Sequence, residues 1–157
     1  MQNIMNKILI TTTIPLVFIA LSGVANATEC NISQITVLSD NCHKRDKGYK
    51  PHASCIATIT APNHYFILNS EVSRSTAGSS HEKPAIYNST PYNNTVIKNS
   101  PVLKEIVLQS ASVTARCSRG GGWKLEKTCY AIAKIVAKAY PHKCLKEQLR
   151  DIFGGLF

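Results

Sequence analysis

The sequence predicts a small, mainly β domain, antiparallel and stapled by disulfides, that ends in a short α-helix. Three observations predict it. Six cysteines (Cys30, Cys42, Cys55, Cys117, Cys129 and Cys144) all follow an N-terminal export signal. An even number of cysteines in an exported domain of this size reads as a disulfide framework. Residues 54–61 have high β-propensity, and within the strand expected over 102–118 the alternate residues from Val107 to Cys117 make one side of the pleat the more apolar. Leu145, Leu149, Ile152 and Phe153 recur at helical spacing, with Gly154-Gly155 to stop the helix.

The export signal comes first in the 157-residue chain. Met1 to Lys7 forms a short n-region, and Ile8 to Gly23 an apolar run interrupted by Pro15. Ala25-Asn26-Ala27 then places small residues where signal peptidase reads. The apolar run is shorter than the roughly 20 residues a spanning helix needs. Ala27-Thr28-Glu29-Cys30 has no small residue next to its cysteine, so it does not read as a lipoprotein site. The expected domains are a signal peptide over 1–27 and one secreted or periplasmic domain over 28–157, with no transmembrane segment left in the mature chain.

Along that domain, Ile32 to Leu38 reads as a first strand ended by the turn-like Ser39-Asp40-Asn41. Residues 43–52 follow as a basic loop. Ser54 to Ala61 and Tyr65 to Leu68, separated by Pro62-Asn63, read as a hairpin. Ser, Thr, Asn, Gly and Pro fill more than half of residues 73–101. That stretch can bury little apolar surface and leaves three readings open: a functional loop, a mobile loop, or structure that composition hides. Short strands are possible at Ala85-Ile86-Tyr87 and Thr95-Val96-Ile97.

Val102 to Ser118 reads as the longest strand, with Val107, Gln109, Ala111, Val113, Ala115 and Cys117 toward the core. The triple glycine before Trp123 breaks it. Residues 128–140 fit two periods. As a helix they carry a stripe of Lys127, Lys134 and Lys138, and the alternative fold is α+β. As a strand they align Cys129, Ala131, Ala133, Ile135, Ala137 and Ala139. The strand is preferred, because Cys117 then faces Cys129 across the Gly-rich loop. Short loops pair Cys117 with Cys129 and Cys42 with Cys55, which leaves Cys30 for Cys144.

Charge gives the functional expectation. The chain carries 18 Lys and Arg against 9 Asp and Glu, a net charge of +9, of which only Lys7 leaves with the signal. The excess clusters beside cysteines, at 43–52, 116–127 and 134–150. Such a field favours anionic partners. Lys44, Arg45, Lys47, Tyr49 and Lys50 form one candidate binding set, and Arg116, Arg119, Trp123 and Lys124 a second. Cations beside an aromatic ring suit a sulfated or phosphorylated glycan, a lipid headgroup, nucleic acid, or an anionic protein surface.

Other classes find little support. GxSxG, the phosphate loop, HExxH, CxxC and an EF-hand loop are all absent, so no metal or cofactor is expected. A lysozyme inhibitor usefully carries negative charge, so this basic domain is a poor candidate. A ribonuclease-like hydrolase could draw two histidines from His43, His52, His64, His81 and His142, with Lys50 or Lys143. A structural or secretion-accessory component is the third class. The preferred expectation is a non-enzymatic exported binding protein.

Overall fold

The computed structural model describes residues 30–79, 82–120 and 125–154. The expected signal peptide over 1–27 lies outside the described residues, as do Trp123 and Lys124. Seven strands form the body: β1 (Thr36–Gly48), β2 (His52–Thr60), β3 (Tyr65–Leu68), β4 (Ser73–Gly78), β5 (Glu82–Pro91), β6 (Val107–Ser118) and β7 (Lys127–Pro141). Three helices, α1 (Thr95–Lys98), α2 (Pro101–Ile106) and α3 (Leu145–Phe153), cover one end. The domain is therefore mainly antiparallel β, with a short C-terminal helix.

β6 and β7 organise the sheet because they carry the longest alternating apolar faces. β6 holds β5 along one edge and β2 along the other. β7 holds β1 along one edge and β4 along the other. β3 links the two sets, since Ile67 pairs with Leu108 of β6 and with Ala139 of β7. The edge formed by β2, β3 and β4 thus passes from one central strand to the other. The sheet folds there into two three-stranded layers, β5-β6-β2 and β4-β7-β1, packed face to face.

Small residues fill the space between the layers. Ala53, Ala57, Ala111, Ala115, Ala131, Ala133, Ala137 and Ala139 are buried there with Ile59, Val113 and Ile135. Alanine lets two backbones approach closely, and the close approach suits disulfides. Cys42–Cys55 joins β1 to β2, and Cys117–Cys129 joins β6 to β7, each with Cα atoms 5.9 Å apart. Cys30–Cys144 ties the N-terminal segment to the turn before α3. All three expected pairings are present. A second core fills the helical end, where Phe66 stacks on Tyr140 with Tyr92, Ile97, Leu103 and Leu149 around them.

Three expectations are corrected, and one question left open is decided. The first strand does not stop at Ser39-Asp40-Asn41; β1 runs on to Gly48, through most of the expected basic loop. Pairing with β7 along its whole length overrides the local turn chemistry, and Asp40 is used instead across the layers. β2 and β3 do not form a hairpin with each other; both run against β6. Of the three readings left open for residues 73–101, hidden structure is the one found: they form β4, β5 and α1, and the possible strand at Ala85-Ile86-Tyr87 lies within β5. Finally, Thr95 to Ile97 is helical, and so is Pro101–Ile106, the expected start of the long strand. Caps explain both helices. Asn94 Oδ1 accepts the Val96 N–H at 2.9 Å, and Ser100 Oγ accepts the Leu103 N–H with Pro101 in the first turn.

The expected strand over 128–140 is present as β7, with its cysteine and alanines buried. α3 also forms, and Gly154 ends it at φ 65°, the left-handed conformation that favours glycine.

Candidate functional site

In a paired sheet, residues opposite each other share a face, and alternate residues change face. The register therefore fixes what the layer β4-β7-β1 shows to solvent. β1 presents Val37, Ser39, Asn41, His43, Arg45 and Lys47. β7 presents Thr128, Tyr130, Ile132, Lys134, Val136 and Lys138. β4 presents Ser73, Ser75 and Ala77. None of these outward residues is acidic. Asp40 and Asp46, the acidic residues of β1, point the other way, toward β2.

Arg45 lies directly opposite Tyr130 in the ladder, and His43 opposite Ile132. The His43 ring meets the Tyr130 ring edge-on, 6.4 Å between centroids. His43, Arg45, Thr128, Tyr130 and Ile132 line a shallow depression of about 320 Å³. Lys134 and Lys138 continue the face along β7 at four-residue steps, about 13 Å each on a strand. Lys47 is joined to Glu126 at 2.7 Å, both side chains largely exposed, so this pair is worth little and partly cancels one charge. Arg45, Lys134 and Lys138 form no ion pair among the described residues, and Glu71 is the carboxylate that lines a shallow depression together with Lys138. The arrangement is an exposed ring flanked by cations, on a rigid sheet rather than on a loop.

The structure divides the expected binding residues. Arg45 and Lys47 belong to this face. Lys44 alternates with these residues, on the side of β1 that carries Cys42 and Asp46, and is exposed. Tyr49 and Lys50 occupy the exposed β1–β2 turn at the same end of the sandwich. Arg119 joins that end: its N–H donates to Pro51 O, and its guanidinium to Thr128 O at 3.2 Å. Arg116 lies on β6, opposite Ser54 and Lys83, on the outer face of the other layer. Tyr130, Lys134 and Lys138 were not singled out as binding residues from sequence. Their signal was present as alternate positions of β7, but the same spacing also reads as a helical stripe.

His52 and His142, the pair a ribonuclease reading would test, are at opposite ends of the sandwich. His52 pairs with Ser118 at the start of β2, whereas His142 follows Pro141 at the helical end. His142 Nδ1 lies 3.1 Å from the Tyr92 hydroxyl, and its N–H donates to His64 O. Burial raises the Tyr92 phenol above its ordinary value. Among the described residues, no helix is long and apolar enough to cross a membrane.

Fold and face together define a disulfide-stapled, two-layer antiparallel β domain with a cationic outer sheet. No family model matches the chain, and no curated protein or solved structure is similar to it.

Proposed function

We propose that this is a non-enzymatic, exported binding domain that holds an anionic polymer on the outer face of β4-β7-β1. The observation that supports this reading is the sorting of charge on β1 and β7. Their outward positions carry Arg45, Lys47, Lys134 and Lys138 with no carboxylate, while Asp40 and Asp46 are turned inward. Solubility alone asks only for net charge; it does not ask that the outward positions of two neighbouring strands carry cations and no carboxylate, with Glu71 and Glu126 only at the margins of the face. Tyr130 adds a ring on which a base or sugar could stack.

The test is retention on heparin and on oligothymidylate as salt rises. Binding releases counterions, so affinity should fall steeply with salt. Replacing Arg45, Lys134 and Lys138 together with serine should weaken binding and lower the slope by about 2. The same number of serines at Lys44, Lys50 and Lys83 should do much less. Equal losses from both triple variants would mean that net charge alone is felt, and the face would not be a site.

A further inference from the structure

A second concave surface lies at the helical end, away from the cationic sheet face. A groove of about 530 Å³ runs between α1 and α3. That volume lies within the range of small-molecule sites. Its apolar wall is Val96 on α1 with Leu145 and Leu149 on α3, and Val96 is 59% exposed. Its polar residues include His142, Lys143 and Lys146, and among the described residues no carboxylate lines it. We infer that this groove binds a single-chain anionic amphiphile, an acyl chain carrying a carboxylate or phosphate head, with the chain against Val96, Leu145 and Leu149 and the head at Lys143 and Lys146.

Three features carry the inference. First, charge is sorted around α3. On a helical projection Lys146 falls beside Leu145 and Leu149, whereas Glu147 and Asp151 fall on the far side. Glu147 is turned to the N-terminal segment, where its carboxylate accepts the Cys30 N–H at 3.3 Å. The groove therefore keeps its cations and loses its nearest acids. Second, the polar end is held in place. Tyr92 bonds the His142 ring at 3.1 Å, and His64 O anchors its main chain. Cys144–Cys30 fixes the turn that carries Lys143. Third, the occupant should be acidic. A second copy of a chain with net charge +9 would bring like charge to a cationic rim. The concave shape suits an inserted chain better than a flat bilayer surface.

The experiment is a calorimetric titration of sodium laurate, kept below its micelle concentration, into the full exported chain. Saturable binding of one laurate per chain is expected. Val96→Asp places a negative charge in the apolar wall at an exposed position, and should weaken laurate at least tenfold. Lys143→Ser with Lys146→Ser should do the same, again at exposed positions. Uncharged dodecyl maltoside should bind at least tenfold more weakly than laurate to the parent chain. The Arg45, Lys134 and Lys138 serine variant should bind laurate as the parent does, which separates this groove from the sheet face. Unsaturable laurate binding, laurate affinity unchanged by both groove variants, or association with anionic phospholipid vesicles but not with free laurate would each overturn the inference.

Discussion

The Asp40 carboxylate on β1 accepts the main-chain N–H of Thr58 on β2 at 2.7 Å, across a seam where the two strands share no ladder. Asp46 does the same for the His52 N–H, also at 2.7 Å. The outer edge of β2 would otherwise offer these donors to another chain. Two side chains of one layer therefore close the edge of the other, with Cys42–Cys55 between them. Asp40→Ala should cost about 1 kcal/mol, and the Asp40→Ala, Asp46→Ala pair about twice that. Urea unfolding at neutral pH measures it. The double variant should also associate more readily at high concentration, seen by light scattering, because its β2 edge is bare.

The disulfides should differ in weight. Cys117–Cys129 and Cys42–Cys55 close loops of 12 and 13 positions, while Cys30–Cys144 spans 114. In the chain-entropy account a short loop is worth about 3 kcal/mol and a loop near 100 residues nearly 5. Paired alanine substitution at Cys30 and Cys144 should therefore lower stability most. It should also loosen the helical end first, so hydrogen exchange should rise in α3 before it rises in β6 or β7. Uniform loss of protection through the sheet would contradict this order.

What could be read from sequence follows from where the chain's local and global signals agree. β7 was legible because Cys129 and its alanines keep a strict two-residue period, and its burial bears this out. The cysteine pairing was legible because short loops select their own partners. β1 was misread at Asp40: a residue that favours turns was needed as an acceptor for β2, a use visible only once the layers meet. The helices at 95–98 and 101–106 announced themselves through Asn94 and Ser100-Pro101, but polar composition hid those caps. The charged face was half legible. Arg45 stood out in a basic run, while Lys134 and Lys138 joined it only through the register with β1.

Tyr140 predicts an alkaline limit to stability. Its hydroxyl donates to Glu71 Oε2 at 2.6 Å. Burial first, and then Glu71, hold the phenol far above its ordinary value of 10.0. The folded chain keeps that proton, while the unfolded chain loses it near pH 10. The resulting stability is whole below about pH 10 and drains away as pH rises toward the folded value. Tyr140→Phe removes the titrating group, so its urea midpoint should fall less steeply than the parent's above about pH 10. At neutral pH the same variant should be weaker by about 1 kcal/mol, from the lost bond. Parallel curves for parent and variant would show that Tyr140 titrates normally.

The last prediction asks what the ring on the cationic face reads. Tyr130 is 37% exposed, stands opposite Arg45 and has His43 at its edge, so it can meet a flat ligand while cations hold the backbone. Charge alone cannot tell a base from a gap. Oligothymidylate and an abasic oligomer of equal length and charge separate the two contributions. If bases stack on the ring, the parent should prefer thymidylate, because base–aromatic stacking is worth about 1 to 3 kcal/mol per base. Tyr130→Ala should erase that preference and leave abasic binding nearly unchanged. Arg45→Ser should weaken both oligomers and reduce the salt slope by less than 1 for each. Equal affinity of the parent for the two oligomers would assign the face to a polymer recognised by charge, such as a sulfated glycan. In that case Tyr130→Ala should leave heparin retention where it was, while the serine variant of Arg45, Lys134 and Lys138 lowers it.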